Sequence, residues 1–324
     1  GMRSLELIQG GRCLCLSILA FGTGSVGKTI SYEDSAAMLD RYLACGGSCI
    51  DTARMYGGGA SEETIGRYLR QRGCREKVVI STKGGFPPKE DMHHSRIRPE
   101  PLMQDLEESL RTLGTDYVDL YFLHRDNLSY PVEELMPFLD GLVRSGKVGF
   151  LGASNWTAAR IHRANRFARE NGLTPFSVSQ IQWSLAQATP DSWGDDTIVC
   201  MNREEADFYI QEEMPVMAFT PLTRGFFSKA ITYGIDDSRL DAYLPFKTPT
   251  NIERVQRVAA LCRQKGVTPA QLCHAYLTSG QPKGIAVLGA KSLSHLEDSL
   301  AGADLLLSEE EMKFLSVELS PQEV

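Results

Sequence analysis

The sequence lacks the features that mark nucleic-acid-binding, membrane-spanning and multidomain proteins. It contains no dense tract of Lys and Arg, and its formal net charge is −7, so we expect no nucleic-acid partner. No segment approaches the roughly 20 apolar residues that cross a bilayer, so we expect no membrane span. No Pro/Ser linker or break in composition divides the chain, which predicts one domain over residues 1–324.

The sequence also lacks the cysteine spacing of a zinc site. Its eight cysteines include no C-x-x-C pair, and most lie in apolar runs. Cys45 with Cys49, and the adjacent His93 and His94, are the candidate ligand pairs. Small buried hydrophobes in a reducing, cytoplasmic compartment explain the cysteines more simply, and a solvated loop explains the histidines. We therefore predict no metal site.

The start of the chain imitates a signal peptide. Arg12 precedes the apolar stretch CLCLSILAF, which resembles the basic end and short apolar core of a leader. Glu6 lies upstream, however, and the same stretch ends at Gly22 as a buried strand would. We interpret the stretch as a strand, and Gly1 before Met2 as a remnant of expression.

Short apolar runs of strand length recur along the chain. They occupy residues 18–22, 49–51, 78–83, 118–124, 148–154, 178–183, 215–220 and 284–289. Most are continuously apolar rather than alternating, which is typical of parallel strands buried on both faces. The runs therefore predict a parallel sheet of eight strands.

Helical patterns fill the gaps between the runs. They cover residues 31–46, 98–114, 131–146, 250–266, 268–277 and 308–315, and capping pairs are predicted at Ser31/Asp34, Thr250/Glu253, Thr268/Gln271 and Ser308/Glu311. Eight strands that alternate with helices over 324 residues predict an α/β fold, a single (β/α)₈ TIM barrel. We expect extra C-terminal helices and long substrate loops around it.

A doubly wound sheet is the rival fold. The stretch FGTGSVGKT places Gly22, Gly24 and Gly27 at the spacing of a dinucleotide-binding loop, and Asp51 ends the second run, where an acidic ribose partner would lie. A lone glycine match is weak, and this fold leaves Tyr56 without a role.

Polar residues end three neighbouring strand candidates. Asp51 ends the second run, Lys83 the third and His124 the fourth, while Tyr56 follows the second within a few residues. Alone, each has an ordinary explanation as a cap, a solvated strand end, a core histidine or a loop anchor. Because the carboxyl ends of barrel strands meet at one rim, the four together predict an active site.

Stretches around these residues resemble the aldo-keto reductases. IDTARMYGGGASEETIGRYL is similar to that family's DTA-x-x-Y-G-x-x-x-SE-x-x-x-G signature, and DLEESLRTLGTDYVDLYFLH is similar to its SL-x-x-L-x-x-x-YVDLY-x-x-H segment. LVRSGKVGFLGASNW and AFTPLTRGFF resemble its GK-x-x-x-x-G-x-SN and PL-x-x-G stretches. The matches run in order from about Gly22 to Ser299, and the resemblance implies the same barrel.

The resemblance implies NAD(P)H-dependent interconversion of a carbonyl (an aldehyde, ketone or sugar) and an alcohol. The residue types fit this reaction, because a carbonyl that accepts hydride also needs a proton. An unperturbed phenol has a pKa of about 10, and a neighbouring ammonium stabilises its phenolate. We expect Tyr56 to be the general acid and base, Lys83 to tune it and Asp51 to hold Lys83. His124 would orient the substrate oxygen.

The resemblance also implies a nicotinamide site. Ser154, Asn155 and Gln180 would bind the carboxamide, and Trp183 would stack on the nicotinamide face, with core packing as its alternative. The remaining predicted contacts, near the ring and around the pyrophosphate, are Gly22, Thr23, Thr220, Pro221, Leu222, Arg224 and Gly289.

The adenine end departs from the family pattern. His295 stands where relatives selective for NADP usually have an arginine, and Ser299 stands where an asparagine is common. Lys291 and Ser292 remain as contacts for a 2′-phosphate. The resemblance therefore favours NADP as cofactor, with NAD as the alternative.

Two other functions stay open. Some relatives serve as cofactor-binding, redox-sensing subunits of larger complexes, although the four candidate catalytic residues favour turnover here. A barrel aldolase with Lys83 as its Schiff base would leave Asn155, Gln180 and Trp183 without a shared purpose. Trp193, Tyr243 and Phe246 either line a substrate pocket or anchor loops. Substrate, direction and oligomeric state stay open.

Overall fold

The computed structural model describes residues 1–320, which form ten strands and twelve helices. Strands β1 (Ser4–Gln9) and β2 (Arg12–Ser17) precede the barrel strands β3 (Leu19–Gly22), β4 (Cys49–Asp51), β5 (Val79–Gly84), β6 (Val118–Leu123), β7 (Val148–Ser154), β8 (Phe176–Gln182), β9 (Val216–Phe219) and β10 (Gly284–Leu288). The helices are α1 (Tyr32–Ala44), α2 (Ala60–Arg72), α3 (Pro99–Leu113), α4 (Val132–Arg144), α5 (Ala158–Glu170), α6 (Pro190–Trp193), α7 (Arg203–Glu212), α8 (Phe226–Tyr233), α9 (Pro249–Lys265), α10 (Pro269–Thr278), α11 (Leu293–Ala301) and α12 (Glu309–Leu315).

Strands β3 to β10 close into a parallel barrel. Each strand pairs with the next one along the chain, and β10 pairs with β3 to close the ring. This topology confirms the predicted (β/α)₈ fold and excludes the doubly wound sheet, whose edges stay open. In the rival's glycine pattern, Gly22 is required for packing, because an added Cβ would meet the carbonyl oxygen of Leu288 on the neighbouring strand.

Most helices begin where the capping pattern predicts. The side chain of Ser31 caps α1, and full capping boxes form at Thr268/Gln271 and at Ser308/Glu311. The cap predicted at Thr250 is wrong, because α9 begins two residues earlier and Thr248 caps it. The Thr250 hydroxyl instead donates to the carbonyl of Leu319 and accepts from its amide, which fastens the C-terminal segment to α9.

The single strand predicted for CLCLSILAF is two strands. Strand β2 ends at Ser17 and pairs antiparallel with β1, while β3 enters the barrel. Gly10 and Gly11 form the hairpin turn with φ of 58° and 75°, a left-handed pair that glycine adopts without strain. Leu7 and Leu16 pack into the barrel interior, so the hairpin closes one end of the barrel with apolar side chains.

A second apolar cluster lies outside the barrel. It joins α8, α9, α10 and α12 through buried side chains that include Phe226, Val258, Leu272 and Leu315. These are the extra C-terminal helices that the sequence predicts. Over residues 1–320, no helix combines the length and the apolar character that crossing a membrane would require.

Candidate active site

An ion pair of Asp51 and Lys83 lies at the carboxyl ends of β4 and β5. Lys83 Nζ donates to Asp51 Oδ2 at 2.8 Å, and both side chains are only 1% exposed. The other carboxylate oxygen of Asp51 accepts from Ser81 Oγ at 2.6 Å and from Gln180 Nε2 at 3.3 Å. Because every charge is paired and hydrogen-bonded, the site can keep two ions out of water.

Lys83 is held in its charged form. Its ammonium has three donors, and they point to Asp51, the Thr52 carbonyl at 2.9 Å and Tyr56 Oη at 3.4 Å. Burial acts to lower the pKa of Lys83, but the charges and hydrogen bonds of Asp51 and Tyr56 outweigh it and raise the pKa above its ordinary value. The amine is therefore a fixed positive charge beside the phenol.

Tyr56 begins a short 3₁₀ turn of four residues, Tyr56–Gly59. The three glycines have φ of 59°, 66° and 103°, and this left-handed path brings the chain directly into α2. A side chain at Gly59 would meet the guanidinium of Arg54. Arg54 in turn contacts the buried Glu62 at 2.9 Å and donates to Thr112 at 2.9 Å, so the loop that carries Tyr56 is fastened to α2 and α3.

His124 directly follows β6 and is 6% exposed. Its ring centroid lies 5.9 Å from that of Tyr56, edge to face, and 4.8 Å from that of Phe86. Burial lowers the pKa of His124 well below its ordinary value, and the cations Lys83 and Arg125 lower it further. The imidazole is therefore neutral at pH 7 and carries a single N–H donor.

A cleft of about 180 Å³ opens beside Tyr56 at this rim of the barrel. Eight residues predicted from the sequence line it: Gly22, Thr23, Asp51, Tyr56, Gln180, Thr220, Pro221 and Gly289. A second cavity, of about 140 Å³, adjoins Lys83 and is lined by Met55, Phe86 and Pro87 among others.

Three amide and hydroxyl side chains lie together at the ends of β7 and β8. Ser154 and Gln180 are paired in register on these neighbouring strands. Asn155 follows with a φ of 58°, a strained conformation for a residue with a side chain, and its Nδ2 donates to Ser154 Oγ at 3.4 Å. Asn155 Oδ1 accepts from the Val199 amide at 3.0 Å, which fixes the side chain's orientation.

The segment after β9 is strained and carries a cation without a carboxylate partner. Thr220, Thr223 and Arg224 all have positive φ, of 48°, 49° and 55°. Leu222 lies between them and packs against the C-terminal cluster. The Arg224 guanidinium lies 4.9 Å from the Trp193 ring centroid and forms no ion pair with a carboxylate of residues 1–320.

The other predicted cofactor residues do not line the cleft. Trp183 is 8% exposed and belongs to the main apolar core. Lys291 and His295 are exposed, and Ser292 caps α11 by accepting from the His295 amide at 3.3 Å. Ser299 is 7% exposed within α11.

The structure identifies functional neighbours that the sequence reasoning missed. Ser81 precedes Lys83 by two residues on β5, so strand alternation was the available signal for its contact with Asp51. Phe86 packs on His124, and Arg125 lies 5.0 Å from the Phe86 centroid. The contact of Arg54 with Glu62 had no local signal, because it depends on how α2 docks.

The three loop aromatics anchor the structure rather than line an open pocket. Tyr243 and Phe246 are 5% and 1% exposed and belong to the C-terminal cluster. Trp193 packs on Phe246 with ring centroids 5.0 Å apart, and Tyr243 Oη donates to the Arg224 carbonyl at 2.6 Å.

Known proteins resemble this chain over most of its length. The profile of the Aldo/keto reductase family matches residues 18–316. Norsolorinic acid reductase of Aspergillus flavus is 31% identical over 308 residues, which cover 93% of this chain and 76% of that protein. An aryl-alcohol dehydrogenase [NADP(+)] of Phanerodontia chrysosporium is 28% identical over 318 residues, with 91% and 77% covered.

A solved structure is also similar over the whole barrel. The crystal structure of a thermostable aldo-keto reductase in complex with the inhibitor epalrestat superposes with a TM-score of 0.74 at 26% identity, covering 97% of this chain and 99% of that one. Since the family profile and these relatives span almost the whole chain, the protein belongs to the aldo/keto reductase family and is an oxidoreductase of carbonyl and alcohol groups.

Proposed function

We propose that this protein reduces a small carbonyl compound to an alcohol with NADPH, and runs the reverse reaction when alcohol is in excess. The observation that carries the proposal is the buried Lys83 ammonium, 2.8 Å from Asp51 and 3.4 Å from the Tyr56 hydroxyl beside an open cleft. A cation held next to a phenol at the mouth of a cleft is suited to deliver a proton to a bound substrate.

The residues around the cleft fit a nicotinamide dinucleotide. Gly22 and Gly289 let the backbones of β3 and β10 border the cleft without side chains. Ser154, Asn155 and Gln180 supply the hydroxyl and amide groups that a carboxamide requires. When bound, the cofactor supplies the hydride that adds to the carbonyl carbon.

The segment after β9 would hold the phosphates. Thr220 and Pro221 line the cleft. The exposed Arg224 guanidinium, which forms no ion pair with a carboxylate among residues 1–320, is available to a phosphate oxygen. The strained backbone of this segment is typical of a site arranged for a ligand. Leu222 would pack beside the same phosphates.

The proton transfer uses residues of this chain alone. Tyr56 Oη donates its proton to the substrate oxygen as negative charge develops there. The Lys83 ammonium stabilises the phenolate that remains, and Asp51 keeps that ammonium in place. The neutral His124 donates a hydrogen bond that orients the substrate oxygen. In the oxidative direction the same phenolate accepts the proton from the alcohol.

NADP is the proposed cofactor, and NAD is the alternative. One relative is an aryl-alcohol dehydrogenase [NADP(+)], which favours NADP. The exposed Lys291 is the cation available for a 2′-phosphate, while Ser292 already caps α11, and His295 and Ser299 complete the predicted contacts. We expect NADPH to bind more tightly than NADH, and Lys291→Ala to reduce that difference. In the same site, Trp183 would support the nicotinamide from the core.

An aryl ketone or aldehyde is the proposed substrate class. Met55, Phe86 and Pro87 supply the apolar part of the cavity beside Lys83, whose other lining residues are charged. The names of the relatives, norsolorinic acid reductase and aryl-alcohol dehydrogenase, point to aromatic compounds. Aryl aldehydes and ketones should therefore be turned over faster than sugars of similar size.

The test combines cofactor binding with turnover. NADPH and NADH are titrated by fluorescence, and a panel of aryl, alkyl and sugar carbonyls is then assayed with each cofactor. Tyr56→Phe removes the proton and keeps the ring, so turnover should fall by about 10² to 10⁴-fold while NADPH binding stays near its original strength.

Two results would contradict the proposal. If Tyr56→Phe retains most of its turnover, the phenol is not the proton donor. If the unaltered protein binds neither NADPH nor NADH, the cleft does not hold a nicotinamide cofactor. Tyr32→Phe is the matched control, because it removes a phenol at the start of α1 and should leave turnover unchanged.

A further inference from the structure

We propose that Cys13, Cys15 and Glu6 form a surface binding site for a thiophilic divalent cation such as Zn²⁺ or Cd²⁺. The site lies on the N-terminal hairpin, outside the catalytic cleft, where Cys13 and Cys15 are exposed and are not the small buried hydrophobes that the sequence favoured for the cysteines. Among residues 1–320, these three form the one cluster of His, Cys, Asp and Glu side chains with ligand atoms close enough to share an ion.

Strand geometry brings the three side chains to one face. Cys13 and Cys15 are two residues apart on β2, so their side chains point the same way, and Glu6 pairs directly opposite Cys15 on β1. Leu7 and Leu16 point the other way into the barrel, which fixes the register of the hairpin and the outward direction of the thiols. All three candidate ligands are exposed, so a cation can reach them.

The distances suit a metal ion. The two sulfurs and a carboxylate oxygen of Glu6 lie within 4.8 Å of one another. A Zn–S bond of about 2.3 Å in tetrahedral geometry places two thiolates about 3.8 Å apart. Closing the cluster therefore requires a contraction of about 1 Å at most, which side-chain rotation provides without moving the strands. A water would take the fourth position.

The charge of the cluster also favours a cation. Cys15 Sγ already donates to Glu6 Oε1 at 3.8 Å, so a thiol and the carboxylate of the cluster are in contact. Each thiol would release its proton to solvent as it binds the cation. Soft sulfur ligands select Zn²⁺ or Cd²⁺ over Mg²⁺ or Ca²⁺.

A disulfide is a poor alternative use of the two thiols. Residues two apart on an extended strand have Cα atoms about 6.6 Å apart, near the upper limit for a disulfide. Their parallel Cβ directions also hold the sulfurs side by side rather than facing each other. A bridging metal ion tolerates this arrangement, and a direct S–S bond strains it.

The experiment is a Cd²⁺ titration of the whole protein, kept reduced with a phosphine, followed by the ultraviolet sulfur-to-cadmium charge-transfer band. We expect one Cd²⁺ per chain. Cys13→Ser and Cys15→Ser should each weaken binding at least about ten-fold, because even indirect partners of metal ligands contribute that much. Glu6→Gln should weaken binding less and leave the band's sulfur character intact.

The partly buried Cys45 provides the control, because Cys45→Ser removes a thiol outside the cluster. The proposal predicts an unchanged titration for that variant. Absence of a saturable band in the unaltered protein, or a band that survives in both Cys13→Ser and Cys15→Ser, would overturn it. All of these positions are on the surface or at its edge, so the variants should fold and each titration gives a decisive result.

Discussion

The two ends of the barrel differ in the side chains that they carry, which are charged and polar at one end and apolar at the other. At the carboxyl end, the buried ions Asp51 and Lys83 form an ion pair, and the neutral His124 lies edge to face against Tyr56. At the other end, the hairpin inserts Leu7 and Leu16 among apolar barrel side chains. The same eight strands thus carry a polar site at one rim and a hydrophobic plug at the other.

The difference shows how stability and chemistry are separated in this fold. Positive φ occurs at five residues with side chains in the described chain, and four of them follow β7 or β9 at the carboxyl rim: Asn155, Thr220, Thr223 and Arg224. Strain of this kind costs about 1 to 3 kcal/mol per residue. The backbone strain at the carboxyl rim therefore lowers the stability of the fold, and the apolar packing at the other end of the barrel offsets that loss.

The largest expected effect on turnover comes from removing the charges of Asp51 and Lys83 at the carboxyl rim of the barrel. The double variant Asp51→Asn/Lys83→Met removes both charges together, so no unpaired ion stays buried. Turnover should fall on the order of 10³-fold, because the phenolate of Tyr56 loses its stabilising cation. Steady-state kinetics and NADPH fluorescence measure it. If turnover stays within ten-fold of that of the unaltered protein, the charges of Asp51 and Lys83 serve stability rather than catalysis, and the contrast between the two ends of the barrel fails.

The plug should act on stability and leave turnover intact. Leu16→Ala leaves a cavity at a fully buried position and should lower the free energy of unfolding by about 2 to 5 kcal/mol. Ile8→Ala on the same hairpin, where Ile8 is 69% exposed, should change it by no more than about 0.5 kcal/mol. Urea unfolding measures both. A large loss of kcat in folded Leu16→Ala would show that the two ends are coupled.

Lowering the pH should reduce the stability of the folded protein, because His124 is buried in its neutral form. Its pKa is lowered in the folded protein by burial and by the cations Lys83 and Arg125, so below about pH 6.5 the unfolded state binds a proton that the folded state refuses. Stability is then lost as pH falls, by up to about 1.4 kcal/mol per pH unit. His124→Gln should flatten this dependence in urea melts between pH 7 and pH 5.

A second buried imidazole provides the control for that prediction. His274 on α10 lies away from the catalytic cluster, and burial lowers its pKa to about 4. His274→Gln should flatten the same stability slope and leave the pH profile of kcat unchanged, whereas His124→Gln should alter both. If the two variants have the same pH profile of kcat, His124 does not have the catalytic role proposed for it.

The smallest expected effect concerns the loop that carries Tyr56. Gly59→Ala places a methyl group against Arg54 at a φ of 103°, whereas Gly58→Ala meets open space at a φ of 66°. Both carry backbone strain, but only the first displaces the anchor of the loop. We expect kcat/KM to fall roughly ten-fold for Gly59→Ala and about two-fold for Gly58→Ala. Equal losses would mean that strain alone matters.

The periodic parts of the fold could be predicted because their signals are local. All eight barrel strands overlap the predicted strand-length runs, most of which are continuously apolar, and the caps at Ser31, Thr268 and Ser308 follow from residues within one helical turn. The cap predicted at Thr250 was wrong because Thr248 and Pro249 offer an equally good start. The hairpin was missed because residues 13–22 form one stretch that is apolar except at Ser17, and strand pairing alone shows where β2 ends and β3 begins.

In the candidate site, too, some residues could be predicted from local signals and others depend on tertiary packing. Asp51, Lys83 and His124 could be predicted together because each ends a strand, and barrel closure brings strand ends to one rim. Lys291 and Ser299 depend on how α11 docks, and the roles proposed for both stay predictions. The ion pair of Arg54 could not be predicted, because its partner, Glu62, becomes a neighbour only when α2 packs against the barrel.

By itself, the sequence determined the barrel, the order of its strands and the polar residues at their ends, because hydrophobic period and chain position set all three. Tertiary structure alone decided which of those residues meet, how the Tyr56 loop is fastened, and that Cys13 and Cys15 face solvent beside Glu6. The physical reason is that distances between side chains arise from strand register and helix docking, which local patterns do not encode.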